Sequence, residues 1–235
     1  MSSILSFANT SVDDWFGFKR HIFDFEGYEA WLVEPEKKAP GMPWTWCMEW
    51  PTAFVIRTGV PALLAKGYHH VHIHATGHGN EPDQQIFRKF HEFLITLGFA
   101  KQAKLIGMSF GGLYSCRYAA KNPDMVEKIY LDAPLCTFVN FKHIDLVKDQ
   151  YGIYSNAEAD VSPEMPNNMT DKLTDIPILL VYGADDLSVD PTLNCEILAE
   201  RIQKAGGKIE VIKRNLWGHH PHGLDDVSKI VDFMG

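Results

Sequence analysis

Apolar positions along this chain follow two alternating periods. Short runs rich in Val, Ile, Leu and Tyr recur between longer stretches whose apolar residues repeat at helical spacing. The short runs predict strands at Tyr28 to Glu34, His70 to Ala75, Ala103 to Met108, Lys128 to Asp132, Pro177 to Tyr182 and Lys208 to Lys213. Pro35 stops the first, and Thr76-Gly77 ends the second. The run at 177 to 182 is continuously apolar, as suits a strand covered by helices on both faces. Between Gln84 and Leu97, the apolar residues Ile86, Phe87, Phe90, Phe93, Leu94 and Leu97 fall on one helical stripe. A second helix is expected over Leu113 to Lys121. A third starts at Asp190-Pro191, with Asp as the cap, carries Leu193, Ile197, Leu198 and Ile202 inward, and ends at Gly206-Gly207. Val227, Ile230, Val231 and Phe233 mark a last short helix.

Strands alternating with helices predict an α/β fold with a mostly parallel sheet. One stretch breaks the alternation. Cys136 to Asp175 has no clear strand and contains Pro163, Pro166 and Asn167-Asn168. An insertion of this kind between two core strands is expected to be a lid or binding loop. Its residues Phe138, Phe141, Tyr151 and Tyr154 are expected to pack within it or to form an apolar wall.

Composition adds limits. With 235 residues, 46% of them hydrophobic, the chain is long enough to bury a sizeable core as a single domain over 1–235. A net charge of −8 argues against a nucleic-acid groove, which needs clustered Lys and Arg. No apolar run is long enough for a membrane span. The start, Met1 to Trp15, has no basic region followed by an apolar run, so no signal peptide is expected. Cys47, Cys116, Cys136 and Cys195 show no CxxC spacing, which excludes a zinc ribbon or thioredoxin motif. Reduced, buried thiols in a cytoplasmic protein are the expectation.

The strongest chemical signal is Gly107-Met108-Ser109-Phe110-Gly111-Gly112. It fits G-x-S-x-G with a strand before it and a helix after it. Such a turn lifts a serine hydroxyl above the sheet edge, at a helix N-terminus that favours a developing oxyanion. A hydroxyl needs a base and an orienting acid to become a nucleophile. After the strand PILLVY comes Gly183-Ala184-Asp185-Asp186, which offers Asp186, with Asp185 as its neighbouring alternative. Asp132, at the end of KIYLD, is a third candidate. After KIEVIK comes Trp217-Gly218-His219-His220-Pro221-His222. His219 is the favoured base and His220 its rival, with His222 expected to pack or make a supporting bond. The order Ser109, Asp186, His219 after successive strands is an independent check on the serine motif.

These residues resemble the α/β-hydrolase superfamily. The element Pro43-Trp44-Thr45-Trp46, the Asp132-Ala133-Pro134 element and the terminal His219-His220-Pro221-His222 run resemble a subset of small esterases and acetylesterase-like hydrolases, some associated with carbohydrate esters. The resemblance implies a serine esterase with a small-molecule ester substrate and no cofactor. It departs at Cys47, where that subset often has Arg, and in lacking an H-G-G oxyanion loop. Phe110 N–H and a donor near Trp44, in the segment after the first strand, are the expected oxyanion hole. Packing is the alternative reading for Trp44, Trp46 and Trp50. A thioesterase, an acyltransferase, a C–C hydrolase or a non-catalytic binding protein on the same fold are the alternatives. A homo-oligomer is left open.

His72-Ile73-His74, whose side chains would share one strand face, with His78 following, comes nearest to a metal-binding pattern. The aspartate such a site needs is missing, so no metal is expected there. His69 and His70 are expected to be surface or packing residues, and His78 to line the substrate pocket. No G-x-G-x-x-G follows the first strand, so no dinucleotide site is expected either.

Overall fold

The computed structural model describes residues 10–74 and 76–235. The expectation for residues 1–9, and Ala75 at the end of its predicted strand, lie outside the described residues.

In chain order the elements are β1 (Ser11–Trp15), β2 (Phe18–Phe25), β3 (Tyr28–Glu34), β4 (Trp44–Cys47), α1 (Val60–Ala65), β5 (His69–Ile73), α2 (Glu81–Thr96), β6 (Ala103–Met108), α3 (Phe110–Lys121), β7 (Val126–Asp132), α4 (Lys148–Tyr151), α5 (Asn156–Val161), β8 (Ile178–Gly183), α6 (Ile197–Lys204), β9 (Ile209–Arg214) and α7 (Ser228–Met234). Among the described residues nine strands form one sheet in the order β1-β2-β3-β5-β4-β6-β7-β8-β9. From β1 to β5 the neighbours are antiparallel; from β5 through β4 to β9 they are parallel. This is the α/β-hydrolase architecture, a mixed sheet with helices on both faces.

The apolar pattern sorts the two faces. Along β8, Ile178, Leu180 and Tyr182 join one core with Phe87 of α2, Leu113 of α3 and Leu198 of α6. Leu179 and Val181 join the other with Leu63 of α1 and Ile230 of α7. Alternate residues of a strand point to opposite faces, so a continuously apolar run serves both cores at once.

Three strands were not predicted. β1 and β2 form an outer antiparallel pair with few buried positions, so their alternation is weak. β4 is the more instructive case. The sequence shows Trp44 to Cys47 only as part of the segment after the first predicted strand, yet all four residues are buried in the middle of the sheet. A four-residue strand covered on both faces carries no period to detect.

Residues 133–177 connect β7 to β8 through α4, α5 and single helical turns, without a strand. Phe138, Ile153, Met165, Met169 and Leu173 are buried in the same core as α3. Tyr154 is exposed. Buried Arg117 of α3 ties this segment down through Tyr151 Oη (3.0 Å) and an ion pair with Glu164. Among the described residues no helix is long and apolar enough to cross a membrane.

Candidate active site

The chain leaves β4 to form β5 on one side and β6 on the other, so the strand order reverses there. A crevice opens at the carboxyl ends of strands at such a switch point. Ser109 stands in it, immediately after β6, as the N-cap of α3. Its φ of 50° places a non-glycine residue in a strained region. Neighbouring backbone holds it there: Ser109 N–H donates to Asp132 O at 3.0 Å, and Leu135 N–H donates to Ser109 O at 2.9 Å. The glycines around it are sterically required. A Cβ on Gly107 would lie 2.7 Å from Gly111 O, and one on Gly112 would lie 2.2 Å from Pro134 Cβ.

His219 lies in the loop after β9. Its Nε2 is 3.2 Å from Ser109 Oγ, and its Nδ1 is 2.6 Å from Asp186 Oδ2. Asp186 is buried in the turn after β8, where its Oδ1 accepts the N–H groups of Ser188 (2.8 Å) and Val189 (2.9 Å). Burial works to raise this carboxyl, but the bonds from His219 and the two amides leave it below its ordinary pKa. Asp185 is exposed beside it. Its N–H donates to Trp217 O at 2.9 Å, which laces the β8 turn to the histidine loop.

A second pair stands next to the first. His222 Nδ1 lies 2.6 Å from Asp132 Oδ1, and both side chains are buried. Asp132 also accepts from Tyr130 Oη–H (2.7 Å) and Gly223 N–H (2.8 Å). Asp132 therefore serves His222 rather than His219. His220 is exposed, and its ring stacks on Phe54 with centroids 5.5 Å apart. Arg57 Nε–H and Arg214 Nη1–H fasten the loop, through His222 O (2.8 Å) and Gly223 O (2.7 Å) respectively.

Phe110 follows the serine as the first residue of α3, where a backbone N–H has no intrahelical partner. Trp44 is not in the site, and that expectation is corrected. Thr45 pairs with Lys104 and Cys47 with Ile106, so Trp44 stands at the opposite end of the sheet from Ser109. Its indole N–H donates to Ala100 O at 2.9 Å, and its ring packs against Trp46 and His91. Four residues are too few to show the strand in the sequence, so nothing there separates its start from its carboxyl end. The residues beyond its carboxyl end do reach the site. Glu49 N lies 3.3 Å from where a Cβ on Gly111 would be, and Trp50 walls the cavity beside Ser109. Trp50 was the available signal, being the tryptophan that follows β4 rather than lying within it.

Two cavities flank the turn and share Trp50. One of about 240 Å³ is lined by Ala53, Phe54, Ser109, His219, His220 and His222. The other, about 480 Å³, lies past Phe110 and is lined by Glu49, His74, Thr76, His78, Tyr114 and Leu146. Burial raises the Glu49 carboxyl above its ordinary pKa, against the N–H of Trp50, which donates to it at 3.0 Å. Phe141 stands edge-on to Phe110 at 5.6 Å. His72 is buried, its Nδ1 2.8 Å from Cys47 O, and His69 and His70 are buried as well. All four cysteines are buried and free.

No protein-family model matches the chain, and no curated protein sequence matches it significantly. Solved structures do. S-formylglutathione hydrolase of Agrobacterium tumefaciens aligns with a TM-score of 0.68 at 14% identity, covering 97% of this chain and 96% of that one. Est1E of Butyrivibrio proteoclasticus aligns at 0.64 and 15%, covering 97% and 98%. Dipeptidyl peptidase 4 of Porphyromonas gingivalis aligns at 0.70 and 15%, covering 96% of this chain but only 35% of its own length. These neighbours are α/β-hydrolase-fold serine hydrolases, and this chain has the α/β-hydrolase fold.

Proposed function

We propose that the protein is a serine hydrolase that cleaves carboxylic esters through an acyl-enzyme. The observation that carries this reading is the continuous relay from Ser109 Oγ through His219 to Asp186, at 3.2 and 2.6 Å. Ser109 Oγ attacks the acyl carbonyl while its proton passes to His219 Nε2. Asp186 holds the tautomer with the proton on Nδ1 and stabilises the imidazolium. Phe110 N–H receives the oxyanion, and the Glu49 N–H beside Gly111 supplies the second donor. His219 returns its proton to the leaving alkoxide. Water then attacks the acyl-enzyme by the same route, releasing the acid and restoring Ser109. Esters suit the site because an alkoxide needs less protonation assistance than an amine. The two cavities give the acyl and alcohol portions separate places beside the serine.

A fluorophosphonate probe tests the nucleophile. It should label the parent and fail to label Ser109→Ala; a folded parent that stays unlabelled removes the enzymatic reading and leaves a binding protein. A panel of p-nitrophenyl esters, thioesters and amides tests the class. Turnover of thioesters or amides in preference to esters would move the protein to a different acyl-transfer chemistry.

A further inference from the structure

The serine mechanism uses one imidazole held by a carboxylate, but the cavity contains two. One ring nitrogen from each of His219, His220 and His222 lies within 4.8 Å of the other two. Among the described residues this is the one group of three or more His, Cys, Asp or Glu side chains with such convergence. We propose that these three histidines bind a divalent transition-metal ion of the Zn²⁺ type. We further propose that the ion shuts off the serine site by taking His219 Nε2 from Ser109. The second statement rests on the serine-hydrolase reading; the first does not.

Three observations support the site. His219 and His222 each have Nδ1 on a buried carboxylate, Asp186 and Asp132, at 2.6 Å in both cases. Metal-ligating histidines are characteristically held this way, which fixes the tautomer and leaves Nε2 for the ion. The two carboxylates also place two negative charges behind the ligands, against the two positive charges of the ion. Finally, the spacing is close to coordination. Nitrogens no more than 4.8 Å apart lie within about 2.8 Å of a common centre, and Zn–N bonds are about 2.0–2.1 Å. Small rotations of the rings close that gap, with exposed His220 the freest to move. Ser109 Oγ or water completes a tetrahedron. Imidazole donors select Zn²⁺, Cu²⁺ or Ni²⁺ over Mg²⁺ and Ca²⁺, which prefer oxygen. Among the described residues no cysteine belongs to such a converging group.

Calorimetric titration of Zn²⁺ into Ser109→Ala reads the site without reference to turnover. One ion per chain should bind, Mg²⁺ should not, and Co²⁺ should give the visible absorption of a tetrahedral complex. His220→Ala and His222→Ala, each made in that background, should weaken Zn²⁺ binding at least tenfold. His220 is exposed, so its variant tests the site even if His222→Ala fails to fold. An unchanged isotherm in His220→Ala, or no binding by Ser109→Ala at micromolar Zn²⁺, overturns the metal site. In the parent, Zn²⁺ should block fluorophosphonate labelling and EDTA should restore it. A zinc-loaded parent that labels at the metal-free rate overturns the switch.

Discussion

Asp132 ends β7 and Asp186 lies in the turn after the neighbouring parallel strand β8, and each holds a histidine from the same loop at 2.6 Å. Only His219 also reaches Ser109. The pairs should therefore separate on mutation. His219→Ala and Asp186→Asn should each lower kcat by roughly 10⁴, because either change removes the base or its correct tautomer. Asp132→Ala should instead mainly cost stability, about 3 kcal/mol, because it strips partners from buried groups. Steady-state ester hydrolysis and urea unfolding of the three variants check this. Collapse of kcat in Asp132→Ala with Asp186→Asn near the parent would invert the assignment. Asp186 also carries a pH signature. Its carboxyl is lower in the folded than the unfolded state, so its stabilisation is present above the unfolded pKa of about 3.9. That stabilisation is lost as pH falls through the folded value. Acid unfolding of Asp186→Asn should lack this component.

At the scale of elements, the turn between β6 and α3 is held by close approach. On Gly112 a methyl group would meet the backbone and ring of Pro134, whereas on Gly111 its nearest neighbour is Glu49 N at 3.3 Å. Gly112→Ala should cost about 1–3 kcal/mol as an overpacking change and slow serine labelling by displacing Ser109. Gly111→Ala should be milder on both counts, and denaturant unfolding alongside labelling rates ranks the two. The serine motif was readable because glycine, serine and the flanking periods are all local. The strand just before Glu49 and Trp50 was not, because Trp44 to Cys47 owes its extended form to β5 and β6 on either side. Long-range pairing overrode a local pattern too short to register. The insertion after β7 was visible as a gap in the alternation. Its attachment through Arg117 was not, because Glu164 and Tyr151 lie far along the chain from that residue.

Across the whole molecule, burial has left several imidazoles neutral. It lowers His69, His72 and His91 to about 4 and His70 to about 3. The unfolded chain takes up these protons near pH 6.5 and the folded chain does not. Their contribution is therefore present above about 6.5 and is lost on acidification toward 4. Each histidine gives a slope of up to about 1.4 kcal/mol per pH unit. Urea midpoints measured from pH 7.5 to 5 should fall steadily with an unchanged m-value, and a flat profile would contradict this.

The sequence by itself determined the class of the fold, through strand and helix periods that each segment carries locally. It also determined the serine turn and the two loops that carry Asp186 and His219. Only the tertiary structure decided which aspartate meets which histidine, and that Trp44 belongs to the core. Ser109 and His219 are 110 positions apart, and Asp132 and His222 are 90 apart. Distances across such separations are set by sheet order and loop anchoring, and no local spacing encodes them.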